Sequence, residues 1–299
     1  MIRVVDALGR AIALDRPPRR VVSLVPSETE AVCDLVGEQA LAGCTDWCEE
    51  PPGVRERVPS VGGTKDFDVE RVASLRPDLV LANKEENGRK RVEALIAQGL
   101  PVHVSFPTTV TEALAHLRSL ALLLGVDPEA SPAVRRVREA YEERASAGPG
   151  AEPLRVFVPI WMDPLMTFDG RVLASDLLEL CGARNVFSDR PRRYPLAADL
   201  GRAEPLPEDR VGDRDTRYPR ITFDEVEARR PEAILLPDEP YVFGEREAEV
   251  FRRLRVPAAE RGAVVCCTGK DLLWYGTRLA GSIGRVTALL RRLRPPPGG

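Results

Sequence analysis

The chain has 299 residues, 43% hydrophobic and 30% charged, which is enough for two domains of roughly 150 residues each. Its 43 Lys+Arg against 46 Asp+Glu leave a net charge of -3, so no basic excess marks a nucleic-acid partner and no acidic tail marks disorder. No apolar run reaches the roughly 18 residues that span a bilayer. The start, "MIRVVDALGRAIALDRPPRR", lacks the apolar segment of a signal peptide, so the chain reads as cytoplasmic or as written without a leader.

"RRVVSLVPSETEAVCDLVG" predicts a strand over Val21–Val25, then Pro26 and a helix with Ser27 and Glu30 at capping-box spacing. "LAGCTDWCEEPPGV" is a second short strand followed by a Pro-rich loop. "FDVERVASLRPDLVLAN" is a helix stopped before Pro77, then a strand from Leu79 to Ala82. "GRKRVEALIAQGLPVHVSFP" repeats helix then strand. From Thr109 to Ala147 the pattern is mostly helical, with Thr109 and Glu112 again at capping-box spacing. "AVRRVREAYEERASAG" has only a thin apolar stripe, Val134, Val137 and Tyr141, as expected of a partly exposed helix that bridges two bodies. "AGPGAEP" ends it.

The second half opens on the strand "LRVFVPI" and continues with "ASDLLELCGARNVF" as helix then strand. "ITFDEVEARRPEAILLP" is helix, proline and strand, and "GAVVCCT" is a strand. "TRLAGSIGRVTALLRRLR" closes the chain as a helix with Leu279, Ile283, Val286, Leu290 and Leu293 on one side. A long polar loop, 188–220, is bracketed by two copies of Arg-Tyr-Pro, at Arg193-Tyr194-Pro195 and Arg217-Tyr218-Pro219. A loop of that length is functional or mobile.

One phrase occurs twice: "LRPDLVLANKEEN" from Leu75 and "ARRPEAILLPDEP" from Ala228, with Pro77 and Pro231 separated by 154 positions (231 − 77). Each copy is helix, proline stop, buried strand and polar tip. The expected architecture is therefore α/β: two Rossmann-like lobes with central, mostly parallel sheets, joined by one long helix. The expected divisions are an N-terminal lobe over 1–108, a helical segment over 109–150 and a C-terminal lobe over 151–299. Ligands of parallel sheets sit outside the carboxyl ends of the strands. Both tips, with Asn83, Lys84 and Glu85 in one of them, are expected to face a shared cleft, and "NKEEN" and "PDEPYVF" are where ligand choice is expected.

Enzyme signatures are missing. There is no G-x-G-x-x-G, "TGKD" lacks the residues of a P-loop, and "GSIG" falls inside a helix. The chain has only two histidines, His103 in a strand and His116 on a helix, neither within a triad motif. So few imidazoles count against a naked transition metal. Cys44-x3-Cys48 has no second pair, and all six cysteines read as small buried hydrophobes. Glu85 or Glu86 as acid/base groups of an enzyme is the alternative of another class. No cofactor is expected to be required.

The aromatics fall beyond strand ends: Trp47, Trp161 beside Met162, and Trp274 beside Tyr275. Large aromatics placed so can hold a flat apolar ligand or plug a loop against the sheet. Ser27 opens a helix whose N-terminus points the same way, which suits an anionic group.

These residues resemble a known family, the helical-backbone metal receptors, which are ABC-transporter solute-binding proteins for cobalamin, iron-siderophores and haem. The likeness runs through "RRVVSLVPSETE", "VPSVGGTKDFDVERVASLRPDLVLANKEEN", "RVFVPIWMDPLMT", "LLELCGARNVFSD" and "ITFDEVEARRPEAILLPDEP". It implies a monomeric, non-enzymatic protein that binds a metal chelate, most simply a corrinoid, for uptake through an ABC permease dimer or for intracellular delivery. It implies ligand contacts at Trp47, Trp161, Met166 and Tyr218, and permease docking through Glu70 and Asp224. Thr64 stands where cobalamin receptors carry an aromatic lid, and the 188–220 loop is longer than theirs. A ferric siderophore or haem is the alternative ligand, with Lys65, Lys84, Arg278 and the loop arginines pairing with its charge.

Overall fold

Residues 1–148 and 152–295 are described by a computed structural model, and the chain divides into two units, Met1–Tyr141 with Tyr275–Ala280, and Glu142–Trp274 with Gly281–Gly299. The centre of the predicted break at 147–153 lies outside the described residues.

The first unit begins with an antiparallel hairpin, β1 (Ile2–Val5) and β2 (Ala11–Leu14). Then come β3 (Val21–Ser23), α1 (Pro26–Val36), β4 (Leu41–Cys44), α2 (Val54–Arg57) and α3 (Val69–Ser74). They are followed by β5 (Leu79–Asn83), α4 (Arg89–Ala97), β6 (Val102–Ser105) and α5 (Val110–Leu123). Strands β3 to β6 form one parallel sheet in the order β4-β3-β5-β6. The helix α6 (Pro132–Ser146) carries the chain into the second unit, the boundary falling after Tyr141.

The second unit contains β7 (Leu154–Phe157), the hairpin β8 (Trp161–Met162) and β9 (Leu165–Met166), α7 (Leu173–Leu180) and β10 (Ala183–Asn185). Two short helices, α8 (Leu196–Asp199) and α9 (Glu208–Val211), lie in the long loop. Then come α10 (Phe223–Arg229), β11 (Ala233–Pro237), α11 (Glu245–Arg252), α12 (Pro257–Glu260), β12 (Val264–Cys267), α13 (Lys270–Leu273) and α14 (Leu279–Leu293). Its parallel sheet runs β10-β7-β11-β12. Counted along the chain, both sheets have the strand order 2-1-3-4. The direction of the crossovers therefore reverses between the first and third strands, at β3/β5 and at β7/β11, where such sheets offer a ligand crevice.

Strands β5 and β11 are buried at every residue, so they read as unbroken apolar runs because both faces are covered. Phe67, Leu24, Val80 and Leu95 centre one core, and Phe157, Phe187, Leu236 and Phe251 centre the other. Each fully buried Phe or Leu contributes roughly 1.5–3 kcal/mol. The edge strand β12 is less covered than the sequence implied: Cys266 is exposed and Cys267 half-buried.

The duplicated Arg-Pro-acid phrase is one structural lock made twice. Arg76 and Arg230 both adopt φ 46, left-handed, and end the preceding helix. The proline that follows disfavours continued right-handed helix at the residue before it. In the first copy, the amide of Asp78 donates to Arg20 O at 2.8 Å while its carboxylate accepts from the Arg19 amide at 2.9 Å. In the second, the amide of Glu232 donates to Arg155 O at 2.8 Å while its carboxylate accepts from the Arg155 amide at 2.9 Å. The Arg20 guanidinium caps Leu75 O, and that of Arg155 caps Arg229 O. Each lock thus ties helix end, strand start and the neighbouring strand together.

One local expectation fails. Val25, not Ser27, is the N-cap of α1, which starts at Pro26 with no side-chain cap. Proline suits the first helical position because its missing N–H would be unpaired there anyway. The Thr109 cap holds, its hydroxyl accepting from the Glu112 amide at 3.1 Å.

Candidate functional site

In the first unit the loops after β3, β4 and β5 emerge at the carboxyl edge of the sheet. Trp47, after β4, is 63% exposed. Its loop is pinned from beneath by thiols. Cys44 and Cys48 are fully buried, and Cys48 Sγ lies 3.1 Å from Thr29 Oγ1 and 3.2 Å from Thr45 Oγ1. The neighbouring Cys44 thiol, against the opposing effect of burial, holds the Cys48 thiol below its usual value. Spacing that resembled a metal motif is here an anchor for Trp47. Among the described residues no group of three or more His, Cys, Asp and Glu could hold a metal ion.

Asn87 ties three loops together. Its amide nitrogen donates to Leu24 O and Thr64 O, each at 2.9 Å, and its oxygen accepts from the Asn83 amide at 2.7 Å. Thr64 is half-buried, and Lys65 is exposed with its ammonium on Glu85 O. Lys84 is exposed, its ammonium 5.1 Å from the Phe106 ring centroid, and Glu85 is half-buried. Asn83 itself is buried: its oxygen accepts from the Glu85 and Glu86 amides, and its nitrogen donates to Ser105 and Tyr275. The "NKEE" tip is therefore a side-chain-closed turn.

Beneath that turn lies a buried polar cluster the sequence did not announce. Ser105 and Tyr275 donate to Oε1 of Glu28 at 2.5 and 2.9 Å, and His116 Nε2 approaches it at 3.2 Å. His103 stacks on His116 with ring centroids 5.4 Å apart. Burial opposes ionisation of Glu28, but the histidines and Ser105 outweigh it and hold the carboxyl below its usual range. Burial, reinforced by the Glu28 charge, pushes the Tyr275 phenol well above its usual value. Tyr275 is only 4% exposed, so its ring belongs to this cluster. Ser27 is also buried, its Oγ without a hydrogen-bond partner among the described residues.

In the second unit the β8–β9 hairpin follows β7. Antiparallel pairing sets Trp161 opposite Met166 on one face and Met162 opposite Leu165 on the other. Leu165 is buried and Met162 packs on the core, so Trp161, 42% exposed, and half-buried Met166 face outward. Tyr241, in the tip after β11, meets Trp161 edge-on at 5.5 Å. Within "PDEPYVF" it is the residue that joins the predicted aromatic set, and its neighbour Val242 is 75% exposed. Tyr218 is half-buried in a segment alongside β9, where Met166 bridges to Arg220. Trp274 is buried, with the Lys270 ammonium 5.2 Å from its ring centroid. Glu70 and Asp224 are exposed, each the second residue of its helix, α3 and α10.

The profile of the periplasmic binding protein family matches residues 21–244. A vitamin B12-binding protein of Pectobacterium carotovorum is 30% identical over 226 residues, 75% of this chain and 72% of that protein. Among solved structures, the periplasmic vitamin B12-binding protein of Vibrio cholerae aligns with a TM-score of 0.70 at 19% identity, over 93% of this chain and 98% of that one. The periplasmic haem-binding protein RhuT from Roseiflexus sp. aligns with a TM-score of 0.73 at 17% identity, over 92% and 98%. These two likenesses carry the fold; the profile match and the Pectobacterium relative carry the family. With two equivalent parallel sheets and that match over most of its length, the chain belongs to the periplasmic binding protein family.

Proposed function

We propose that this protein holds a metal chelate, a corrinoid of the cobalamin kind, without chemical turnover, and passes it to an ABC-type permease or an intracellular acceptor. The observation that carries the corrinoid is the 30% identity to a vitamin B12-binding protein over three quarters of the chain. The exposed aromatics support it. A corrin is broad, flat and apolar on its faces, and Trp47, Trp161 and Tyr241 offer ring surfaces for such a face. Met166, Tyr218, Thr64, Lys65, Lys84, Glu85 and, at the α1 N-terminus, Ser27 complete the proposed contacts. Asn83 and Tyr275 brace the first-unit tip from within, and Met162 seats the β8–β9 hairpin on the second core.

Glu70 and Asp224 are the proposed permease contacts. They are separated by 154 positions (224 − 70), the same interval as the two copies of the repeat, so each unit presents one at an equivalent helix start. Titration with cobalamin and dicyanocobinamide, followed by tryptophan fluorescence, tests the ligand. Quenching that saturates in the micromolar range or below supports the proposal, and none at that range sinks it.

A ferric siderophore or haem is the second reading, favoured by arginines in the 188–220 loop, Arg192 and Arg220 among them, that make no ion pair among the described residues. Thermal-shift competition between ferric chelates and corrinoids separates the two.

A further inference from the structure

Five acids in and around the long loop, Asp199, Glu225, Asp215, Asp169 and Asp189, are already engaged with arginines. Asp199 accepts from Arg190 Nη1 and the Arg193 amide on one oxygen, both at 2.9 Å, and from the Arg220 amide on the other at 2.7 Å. Arg190 also donates to Glu225 at 2.8 Å. Asp215 takes Arg217, Asp169 takes Arg171 and Asp189 takes Arg229.

Of the six loop arginines without an ion pair among the described residues, Arg193, Arg202 and Arg210 are exposed, and three others surround Tyr194 and Asp199. Among the described residues Arg192, Arg214 and Arg220 make no ion pair. The Arg192 guanidinium carbon lies 4.3 Å from the Tyr194 ring centroid and that of Arg214 lies 5.5 Å from it. Arg192 Nε is buried with no hydrogen-bond partner among the described residues. Arg220 makes one side-chain bond, to Tyr218 O at 3.1 Å. Burial, then the like charge of Arg192, lowers the Arg220 pKa, with Asp199 and Tyr194 only partly offsetting them. Cations held together in this way are unfavourable unless an anion joins them.

We propose that Arg192, Arg214 and Arg220 form a binding site for an oxyanion, a phosphate or carboxylate borne by the bound chelate. Asp199 builds the site by gripping the amides of Arg193 and Arg220, which brings two distant parts of the loop together. The planar guanidinium fork matches the geometry of either oxyanion. The site's position links it to the ligand. Ile221 N donates to Leu165 O at 2.9 Å and Thr167 N to Pro219 O at 3.2 Å, so Arg220 is stitched to the strand that carries Met166. The assignment of the oxyanion to a chelate rests on the proposed function; the anion site itself does not.

Thermal unfolding and calorimetric titration with sodium phosphate and with sodium acetate, at ionic strength matched by chloride, test the site directly. Saturable stabilisation of the wild type is expected, weakened about ten-fold in Arg192→Gln and in Arg220→Gln. Arg252→Gln, on an exposed helix in contact with Glu245 and Glu249, is the unchanged control. Arg192→Lys, which keeps the charge but loses the fork, serves if a glutamine variant does not fold, and it is expected to fall between. Equal responses of the wild type and the Arg192 and Arg220 variants overturn the site. In the second arm, Arg220→Gln is expected to lose about ten-fold in affinity for cobalamin, which has a phosphodiester, and little for dicyanocobinamide, which has none. Equal losses for both corrinoids overturn the assignment to the ligand phosphate. Anion binding without corrinoid binding upholds the site and rejects the corrinoid.

Discussion

His103 should make the stability of the first unit depend on pH. It is 2% exposed in β6, and burial first, then the neighbouring His116, lowers its pKa from 6.5 to about 4, while Glu28 and Asp6 pull the other way and Arg10 adds to the depression. The unfolded chain therefore takes up a proton below about pH 6.5 that the folded protein refuses until about pH 4. The stability from neutral His103 is fully present above pH 6.5 and is lost as the pH falls from there towards 4. At pH 5 the ratio of the two binding polynomials is about 30, or about 2 kcal/mol, against about 0.2 kcal/mol at pH 7. Glu28, with its depressed folded pKa, adds its own loss only as the pH falls below its unfolded value of 4.5, beneath the range from pH 7 to 5.

Substituting leucine for His103 removes the titration at similar volume, which core positions tolerate at a cost of about 1.5 kcal/mol or less. Urea unfolding at about pH 7, 6 and 5, with amide exchange in β6 assigning the transition to the first unit, reads the effect. Wild type is expected to lose about 2 kcal/mol between pH 7 and 5 and His103→Leu less than about 0.5. The same slope in both proteins would refute the reasoning.

Trp47→Ala should weaken corrinoid binding by about ten-fold or more with little change in stability, since its ring is mostly exposed and its loop is anchored by Cys44 and Cys48; fluorescence-independent calorimetry measures it. Asp199→Asn leaves Arg190, whose side chain is 5% exposed, with Glu225 as its one carboxylate among the described residues and should destabilise the second unit by about 1–3 kcal/mol in urea unfolding. Asp78→Ala and Glu232→Ala each open one lock and should cost about 1–2 kcal/mol in their own unit alone, resolved by amide exchange in β5 and β11. Glu70→Lys with Asp224→Lys should leave ligand titrations unchanged while abolishing stimulation of the permease's ATPase in reconstituted vesicles.

Much of the fold was legible because its signals are local. Proline stops, unbroken apolar strands and alternating helices dictate parallel sheets whatever the rest of the chain does. The stripe of α14 is an example: Leu279, Ile283, Val286 and Leu290 are all buried. Capping was half legible, since Thr109 caps α5 whereas Pro26 displaced Ser27 from the corresponding role in α1. The site was harder because burial decides it. Asn83, Tyr275, Trp47 and Trp161 look alike as polar or aromatic residues near strand ends. Only three-dimensional packing separates the first two, inside a hydrogen-bonded cluster, from the last two, in solvent. Glu28 drew no notice in "PSETE", and nothing in its neighbourhood in the sequence points to Tyr275, distant along the chain. The arginines of the long loop were visible as a composition, but which of them lack a carboxylate depends on the grip of Asp199.

The duplicated phrase explains why fold and ligand chemistry separate so cleanly. Its Arg-Pro-acid core does the same work in both units, fixing a left-handed helix end and stitching two strands. Any substitution there is judged by its own unit's stability. The tips that follow have diverged. In the first unit Asn83 and Asn87 fold the tip back on itself, and the exposed aromatic comes from β4 as Trp47. In the second unit the tip delivers Tyr241 to the edge of Trp161, which comes from the hairpin after β7. Equivalent scaffolds thus project ring surfaces from non-equivalent strands. The stability of each sheet demands its own lock, and the proposed ligand contacts lie outside both locks, free to differ.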